Sequence, residues 1–292
     1  MSDTLIVGGL TVDRFGDGSM APGGSVLHSG LAAVAEGAGL TTLTVAGDEA
    51  AARNGLDRLA ALGALVHQAA PATTTYRHEE REGIRVLVLE ARAEPIAATL
   101  LDRVPQPAVA LVAPIADEVP ASLVTQLRDQ LAPRLTVLLI QGWLRHLVVG
   151  EEVTALPLGT LSAEQTAVIA EADAIVVSTE DLVESTGDPF GQAALLRARF
   201  GPWPVIVVTL GTEGYLLDDP ALDRVVASVP RRVVTNVPAV GAGDTFGAAL
   251  AVGLSAGASA SAAADRATER VISMLEARRG RDVAARVTVR GS

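Results

Sequence analysis

The sequence predicts a single α/β domain over residues 1–292, built on a doubly wound and mostly parallel sheet. Short apolar runs alternate with helical stretches along the chain, which indicates strands and crossover helices in turn. Each run is apolar on successive residues, as expected for strands buried on both faces of a parallel sheet. Hydrophobic residues make up 49% of the chain, which is enough for the large core that such a sheet requires.

Glycines separate the first predicted elements. These are, in order, strand Thr4–Val7, helix Ser25–Glu36, strand Thr41–Ala46 and helix Ala50–Leu62. Four more strands are predicted at Val109–Ala113, Thr136–Ile140, Ala174–Val177 and Val205–Leu210, with helices at Glu118–Gln130 and Gln192–Phe200 between them. The last segment, Arg278–Ser292, is expected to be a terminal strand or tail.

One segment interrupts this alternation. Residues 73–90 are rich in threonine, tyrosine and valine around Glu82-Gly83, which predicts a β-hairpin with its turn at that pair. Together with residues 11–18, the region 73–95 is expected to form a small antiparallel sheet inserted in the domain and standing off the main sheet. The alternative is that the hairpin extends the central sheet, but antiparallel hairpins are uncommon within doubly wound sheets.

Composition excludes several classes of function. The chain has no cysteine, which excludes disulfides, thiolate zinc sites and a cysteine nucleophile. All 23 basic residues are arginine, so a P-loop and a Schiff-base lysine are excluded as well. The net charge of −11 without a basic run argues against a nucleic-acid partner. Neither a basic leader nor a span of ~20 apolar residues is present, so we expect a cytoplasmic protein without a membrane partner.

The strongest chemical motif is the stretch NVPAVGAGDTFGAAL at residues 236–250. It runs from a loop through Gly241, Ala242, Gly243 and Asp244 into an alanine-rich helix. Glycines let the backbone approach a ligand closely, and a helix start offers unpaired N–H groups that attract anions. A carboxylate beside such a site can take a proton from a hydroxyl. The alternative is that Asp244 only caps the helix and the glycines only form the turn.

AVGAGDTFGAAL resembles the D-T-x-G-A-G-D-x-F signature of ribokinase-like (PfkB-type) carbohydrate and nucleoside kinases. The resemblance implies an ATP-dependent kinase that uses Mg²⁺ and phosphorylates a hydroxyl of a small sugar, an inositol-like polyol or a nucleoside. It assigns Asp244 as the catalytic base and Gly241, Ala242 and Gly243 as the anion hole.

The N-terminal part of the chain resembles the substrate side of these kinases. The stretch PGGSVLHSG at residues 22–30 is similar to the family's G-G-x-x-x-N-x-A motif, with His28 in place of the usual asparagine. The resemblance implies that Asp13, Gly23, Gly24 and His28 bind substrate hydroxyls. It also implies that the hairpin is a lid over the substrate, and the apolar residues 84–89 of that lid could form a homodimer interface.

The C-terminal half resembles the nucleotide side. VTLGTEG at residues 208–214 is similar to V-T-x-G-x-x-G, which implies nucleotide contacts at Thr209, Gly211 and Gly214. The sequence STED, which includes Ser178, stands where the family carries N-x-x-E. By this resemblance Ser178 contacts the nucleotide, while the metal would be held by Glu180 and Asp181.

Further residues remain open between two interpretations. Arg145, in QGWLR, stands where the family has D-x-N-x-R, so it either binds a phosphate or is an exposed arginine. Pro238 replaces the first aspartate of the signature, near which many members bind a monovalent cation, and this argues against potassium activation. His67, His78 and His146 lack metal-ligand spacing and are expected to be structural or exposed.

Two other functions are alternatives to a kinase. A non-catalytic binding or regulatory protein on the same fold is favoured by the altered metal motif and by Pro238, and is disfavoured by the intact G-A-G-D. A dinucleotide-binding oxidoreductase is disfavoured because Val7-Gly8-Gly9 is not followed by G-x-G-x-x-G.

Overall fold

The computed structural model describes residues 3–81, 84–184 and 188–290, and within them it confirms the predicted fold class. A nine-stranded, mostly parallel sheet has helices on both faces, and a four-stranded sheet is separate from it. None of the helices in these ranges is both long and apolar enough to cross a bilayer.

The bounds of the elements follow the chain from the amino terminus. The strands are β1 Asp3–Gly8, β2 Thr11–Arg14, β3 Met20–Gly23, β4 Gly39–Ala46, β5 Ala64–Ala69, β6 Thr74–Arg81, β7 Ile84–Ala91, β8 Val109–Ala113, β9 Leu135–Leu139, β10 Arg145–His146, β11 Thr154–Ala155, β12 Ala174–Ser178, β13 Val205–Thr209, β14 Tyr215–Asp218 and β15 Val226–Ser228. The helices are α1 Ser25–Ala35, α2 Ala50–Leu62, α3 Ala121–Leu131, α4 Ala163–Ala170, α5 Pro189–Phe200, α6 Ala242–Ser255 and α7 Ala260–Arg290.

The central sheet has the order β15-β14-β13-β12-β9-β8-β1-β4-β5. The strands from β13 to β5 pair in parallel, and only β14 and β15 at one edge are antiparallel. From β1 the chain builds outward first through β4 and β5, and then through β8 and β9 on the other side. The order therefore reverses between β1 and β8, and ligands of such sheets bind beyond the carboxyl ends of the strands near that reversal.

Two apolar layers enclose the sheet, because alternate residues of each strand point to opposite faces. Leu5 and Val7 of β1 pack with α3, α4 and α5, whereas Ile6 packs with α1, α2, α6 and α7. The deepest helix is α6, whose residues from Asp244 to Gly253 are all buried. The start of α6 is therefore held in a fixed position relative to the sheet.

The small sheet has the order β3-β2-β6-β7 and is called the lid sheet below. Its hairpin, β6 with β7, is antiparallel as predicted, and the predicted turn at Glu82-Gly83 lies outside the described residues. The pairing of β2 with β6 is parallel, which departs from the all-antiparallel prediction. Both strands emerge from the carboxyl edge of the central sheet, after β1 and β5, and so they run in the same direction.

The other departures concern element ends and edges. Strands β5, β14 and β15 were not predicted, and the lid sheet includes β3, which lies beyond the predicted 11–18. The prediction of a terminal strand or tail from Arg278 is wrong for the described part, because α7 continues to Arg290. Gly280 does not end this helix, since a single interior glycine costs only about 1 kcal/mol.

Candidate functional site

A cavity of about 610 Å³ lies where the carboxyl edge of the central sheet meets the lid sheet. The residues predicted to form the site converge on it from distant parts of the sequence. Those that line it are Asp13, Gly24, His28, Arg145, Ser178, Glu180, Asp181, Thr209, Gly211, Gly214, Gly241, Ala242, Gly243 and Asp244. Gly23 lies behind this wall, and a Cβ there would be 2.3 Å from Oδ2 of Asp13.

The start of α6 forms one end of the cavity. Gly241 is the N-cap residue with φ 74°, a left-handed conformation that favours glycine, and it provides no side-chain cap. The N–H of Ala242 is engaged, because it donates to the carbonyl of Ala239 at 3.0 Å. The first-turn N–H groups of Gly243 and Asp244 have no intrahelical partner by the geometry of an α-helix. Together with the positive end of the helix dipole, they favour the binding of an anion at this point.

Asp244 lies in this first turn and is only 6% exposed. Burial raises the pKa of its carboxyl group from 3.8 to about 6, although the positive charge of Arg145 partly opposes that rise. Gln141, in the turn that follows β9, donates from Nε2 to Oδ1 of Asp244 at 3.4 Å. The carboxylate is therefore a stronger base than an exposed aspartate, and it remains mostly ionised at neutral pH.

Arg145 is not the exposed surface residue of the second interpretation. Its side chain is 20% exposed and pairs with Asp181, with 3.3 Å between Nη2 and Oδ1. The pair joins β10 to the turn after β12. It holds a guanidinium and a carboxylate together on the cavity wall, near enough to Asp244 for both charges to influence its pKa.

The part of the cavity under the lid sheet is polar and is called its polar end below. His78 of β6 places Nε2 3.2 Å from Oδ1 of Asp13, and its ring stacks near Phe15 with 4.9 Å between centroids. His78 was expected to be structural or exposed, yet it lines the cavity. The register of β2 with β6 explains the position of His78. It pairs Asp13 with Tyr76, and His78 lies two residues beyond Tyr76, on the same face of β6.

His28 links the start of α6 to the polar end, because its ring packs on Gly241 and its charge state is influenced by Asp13. Burial, with a contribution from the nearby Arg278, lowers the pKa of its ring to about 4, so it is neutral at physiological pH. Its Nε2 atom is buried, and the described residues offer it no hydrogen-bond partner. The ring packs on Gly241, where a Cβ would lie 2.2 Å away from it. A neutral imidazole with an unpaired nitrogen suits a hydroxyl-bearing ligand.

A glycine and a buried glutamate shape the polar end. Gly24 has φ 95°, and a Cβ there would be 2.3 Å from the carbonyl of Gly9. Glu118, which sequence reasoning missed, accepts from the N–H groups of Ile115 and Ala116 at 2.9 and 2.6 Å. Burial raises the pKa of Glu118 to about 7. These bonds fix Ile115, which lines the cavity.

The third part of the cavity is apolar. Thr268, Val271, Ile272 and Leu275 of α7 line it, with Val233 from the loop before α6. Their spacing of three, four and seven residues puts the four α7 residues on one helix face, and this spacing is visible in the sequence. The loop Thr209–Gly214 lies beside them, closed by the bond from the N–H of Leu210 to the carbonyl of Gly214 at 2.8 Å.

The described residues do not assemble three or more His, Asp or Glu side chains into a metal-binding cluster. They do provide two neighbouring carboxylates at the cavity wall, Glu180, which is exposed, and Asp181, which is engaged by Arg145. Mg²⁺ commonly binds one or two carboxylates, several waters and the phosphates of a substrate. The donor set therefore fits a Mg²⁺ ion that is bound mainly through phosphate.

The sequence and the fold both resemble known kinases. Residues 153–270 match the sequence model of the pfkB family of carbohydrate kinases, a region that includes Asp244. No curated protein matches the sequence.

Three solved structures illustrate the likeness of the fold. The chain is 20% identical, with a TM-score of 0.76, to a pyrophosphate-dependent kinase in the ribokinase family complexed with a pyrophosphate analog and myo-inositol, over 91% of this chain and 92% of that one. It is 16% identical to ribokinase from Thermotoga maritima, with a TM-score of 0.67 and coverage of 92% and 91%. It is also 16% identical to Arabidopsis thaliana ribokinase complexed with ribose and ATP, with a TM-score of 0.69 and coverage of 91% and 90%. The predicted resemblance to ribokinase-like kinases is thus confirmed, and the chain has their fold.

Proposed function

We propose that this chain is a kinase that transfers a phosphoryl group from ATP to a hydroxyl of a small sugar, an inositol-like polyol or a nucleoside. The observation that carries the proposal is Asp244, a buried carboxylate with a raised pKa at the start of α6, facing the cavity. The match of residues 153–270 to carbohydrate kinases supports the reaction type. Fold neighbours complexed with myo-inositol and with ribose support the class of acceptor.

The polar end of the cavity would bind the acceptor. Asp13 accepts hydrogen bonds from hydroxyl groups, and His78 at 3.2 Å orients its carboxylate. The free Nε2 of His28 accepts from or donates to a further hydroxyl, which satisfies a buried polar atom. Gly24 lets this cavity wall pack closely on the backbone that leads to β2, since any larger residue would strike the carbonyl of Gly9.

Proton transfer would be the task of Asp244. Its carboxylate takes the proton of the acceptor hydroxyl as that oxygen bonds to the γ-phosphorus and the bond from phosphorus to the β,γ-bridging oxygen breaks. ADP leaves with that bridging oxygen, and Asp244 later returns the proton to solvent. The N–H groups of Gly243 and Asp244 hold the oxygens of the phosphoryl group during the transfer.

Arg145 would act on the same centre. Its guanidinium lies on the cavity wall and is close enough to Asp244 to lower the pKa of that carboxyl group. It keeps the base ionised near neutral pH and adds a positive charge beside the transferring group. When bound, Mg²⁺ would neutralise phosphate charge, and the residues that would hold it are Asp181 and Glu180.

The apolar part of the cavity supports a nucleotide as the donor. A base and ribose need a non-polar shelf beyond the phosphates, and Val233, Val271, Ile272 and Leu275 form one next to Thr209–Gly214. Pyrophosphate is the alternative donor, since a pyrophosphate-dependent kinase shares the fold. Pyrophosphate would leave the apolar shelf unused, so we favour ATP.

The lid sheet would exclude water from the reaction. It covers the polar end with Tyr76, His78 and Leu87, all of which line the cavity. Excluding water limits hydrolysis of the donor and strengthens the electrostatic interactions within the site.

The test is a panel of acceptors. The purified chain is incubated with Mg²⁺, ATP or pyrophosphate, and individual sugars, inositols or nucleosides, and the release of ADP or phosphate is measured. Acceptor-dependent ADP release that Asp244→Asn abolishes supports the proposal. Acceptor binding by calorimetry without release from either donor would instead indicate a non-catalytic binding protein on this fold.

A further inference from the structure

The loop that leads into α6 has little packing of its own. Between β15 and α6, residues 229–241 form no helix or strand, and Val234 is the one buried residue of this fully described segment. Asn236 and Gly241 have φ of 60° and 74°, a conformation that is costly for a residue with a side chain. This loop nevertheless positions the N-cap of α6, so a contact from another part of the chain is needed to hold the loop in place.

Arg278 makes that contact. It lies on α7, one turn beyond Leu275, which lines the cavity. Its Nη1 donates to the carbonyl of Pro238 at 3.0 Å and to the carbonyl of Val240 at 2.6 Å. One charged group therefore bridges two carbonyls just before the N-cap, with hydrogen bonds of the stronger, charge-assisted kind.

The charge of Arg278 also reaches the cavity. It is the second cause, after burial, of the lowered pKa of His28, whose ring packs on Gly241. Arg278 itself is not one of the residues that line the cavity. Its influence on the site passes through the loop backbone and through its electrostatic field.

We infer that Arg278 is a positioning residue, a tethered cation that clamps the carbonyls of Pro238 and Val240 and so aims the first N–H groups of α6 at the phosphoryl group. Without the clamp, the two carbonyls lose a shared donor, and the turn at Gly241 can relax. The N–H groups of Gly243 and Asp244 would then no longer converge on one point. The kinetic part of this inference rests on the proposed function, whereas the clamp itself does not.

Arg278→Met tests the clamp, because methionine keeps an unbranched apolar stem and removes the guanidinium. Arg279→Met is the matched control, since Arg279 is the next residue and is exposed. Hydrogen exchange is measured at the amides of Ala242 and Thr245, whose bonds to Ala239 and Gly241 define the turn. We expect exchange there to be roughly tenfold faster in Arg278→Met and unchanged in the control. Equal exchange in the two variants would overturn the inference.

Kinetics separate positioning from general destabilisation. In Arg278→Met, kcat should fall by about 10- to 100-fold while the KM for the acceptor stays within about twofold, because Asp13 and His28, which would bind the acceptor, are both still present. Arg278→Lys, which keeps the charge, or guanidinium ion added to Arg278→Met should restore part of the rate. A parallel loss in both methionine variants, or no recovery by either route, would contradict the role.

The two proposals fail in different ways. If the wild-type chain phosphorylates no acceptor in the panel but exchange is still faster only in Arg278→Met, the proposed function is wrong and the clamp stands. If the wild-type chain is active and exchange is the same in both variants, the proposed function stands and the clamp is refuted.

Discussion

Asp244→Asn should make the protein less active and more stable at the same time. Asparagine has the shape of aspartate but cannot accept the acceptor's proton, so kcat should fall by roughly 10²–10⁴. The gain in stability follows from burial, because the fold forces a carboxylate into a site where it is 6% exposed. A neutral side chain does not pay that electrostatic penalty.

The size of the gain can be estimated from the pKa of Asp244. Its folded value of about 6 lies above its ordinary value of 3.8, so the native state binds this proton more tightly than the unfolded state. The stability contributed by the protonated group is therefore fully present below pH ~4 and is lost as the pH rises through about 6. The difference between these two pKa values corresponds to about 3 kcal/mol of unfolding free energy at pH 8, or roughly 5 °C in Tm for a chain of this size.

The assay is chemical or thermal unfolding of both proteins between pH 4 and pH 8. The variant should be more stable by up to about 3 kcal/mol at pH 8, and the difference should vanish towards pH 4. Asp181→Asn is the contrasting variant: it breaks the pair with Arg145 and should destabilise at pH 8. If the Tm difference between wild type and Asp244→Asn does not depend on pH, the claim that burial raises the pKa of Asp244 is refuted. If the kcat of the variant stays within tenfold of wild type, the catalytic role of Asp244 is refuted.

Three further perturbations address the rest of the site. Arg145→Met removes the charge that lowers the pKa of Asp244, so the acid limb of a plot of kcat against pH should move to higher pH. Gly241→Ala should lower kcat more than tenfold, because φ is 74° at this residue and the added Cβ would strike His28. Gly257→Ala is the control, because Gly257 has a similar φ of 83° but open space around it. It should lower the free energy of unfolding by only about 1 kcal/mol and leave kcat unchanged. His78→Phe should raise the KM for the acceptor roughly tenfold and leave the KM for ATP unaltered, as measured by ADP release.

The central sheet could be predicted from sequence because its strands are buried on both faces. An apolar run such as Ala174–Val177 is too short for a buried helix and has the length of a strand buried on both faces. It forms strand β12 in the structure. The edge strands were missed for the converse reason. Val226–Ser228 is half-exposed and only three residues long, so its residues carry no clear periodicity.

The residues of the site were predictable where the chemistry is local. Gly241 to Asp244 are adjacent in the chain, and their glycine turn and helix start can be read from one segment. The ion pair of Arg145 with Asp181 and the contact of His78 with Asp13 join residues 36 and 65 positions apart. Such contacts depend on strand order and register. The parallel pairing of β2 with β6 was itself not predicted, and so His78 could not be assigned to the cavity.

The raised pKa of Asp244 is a consequence of how deeply α6 is packed. Gly247 lets α6 lie against β9, because a Cβ at this position would be 2.3 Å from the side chain of Leu139. Gly253 lets α7 pack closely on α6, because a Cβ there would be 2.9 Å from the Cβ of Ala263 in α7. Ser29 of α1 donates its hydroxyl to the carbonyl of Asp244 at 3.2 Å, which fixes the first turn from a second side. The carboxylate cannot turn out into water without moving a helix that is buried along ten residues. Because the apolar contacts of α6 far outweigh about 3 kcal/mol, the fold can hold an ionised group where it is a stronger base than in water.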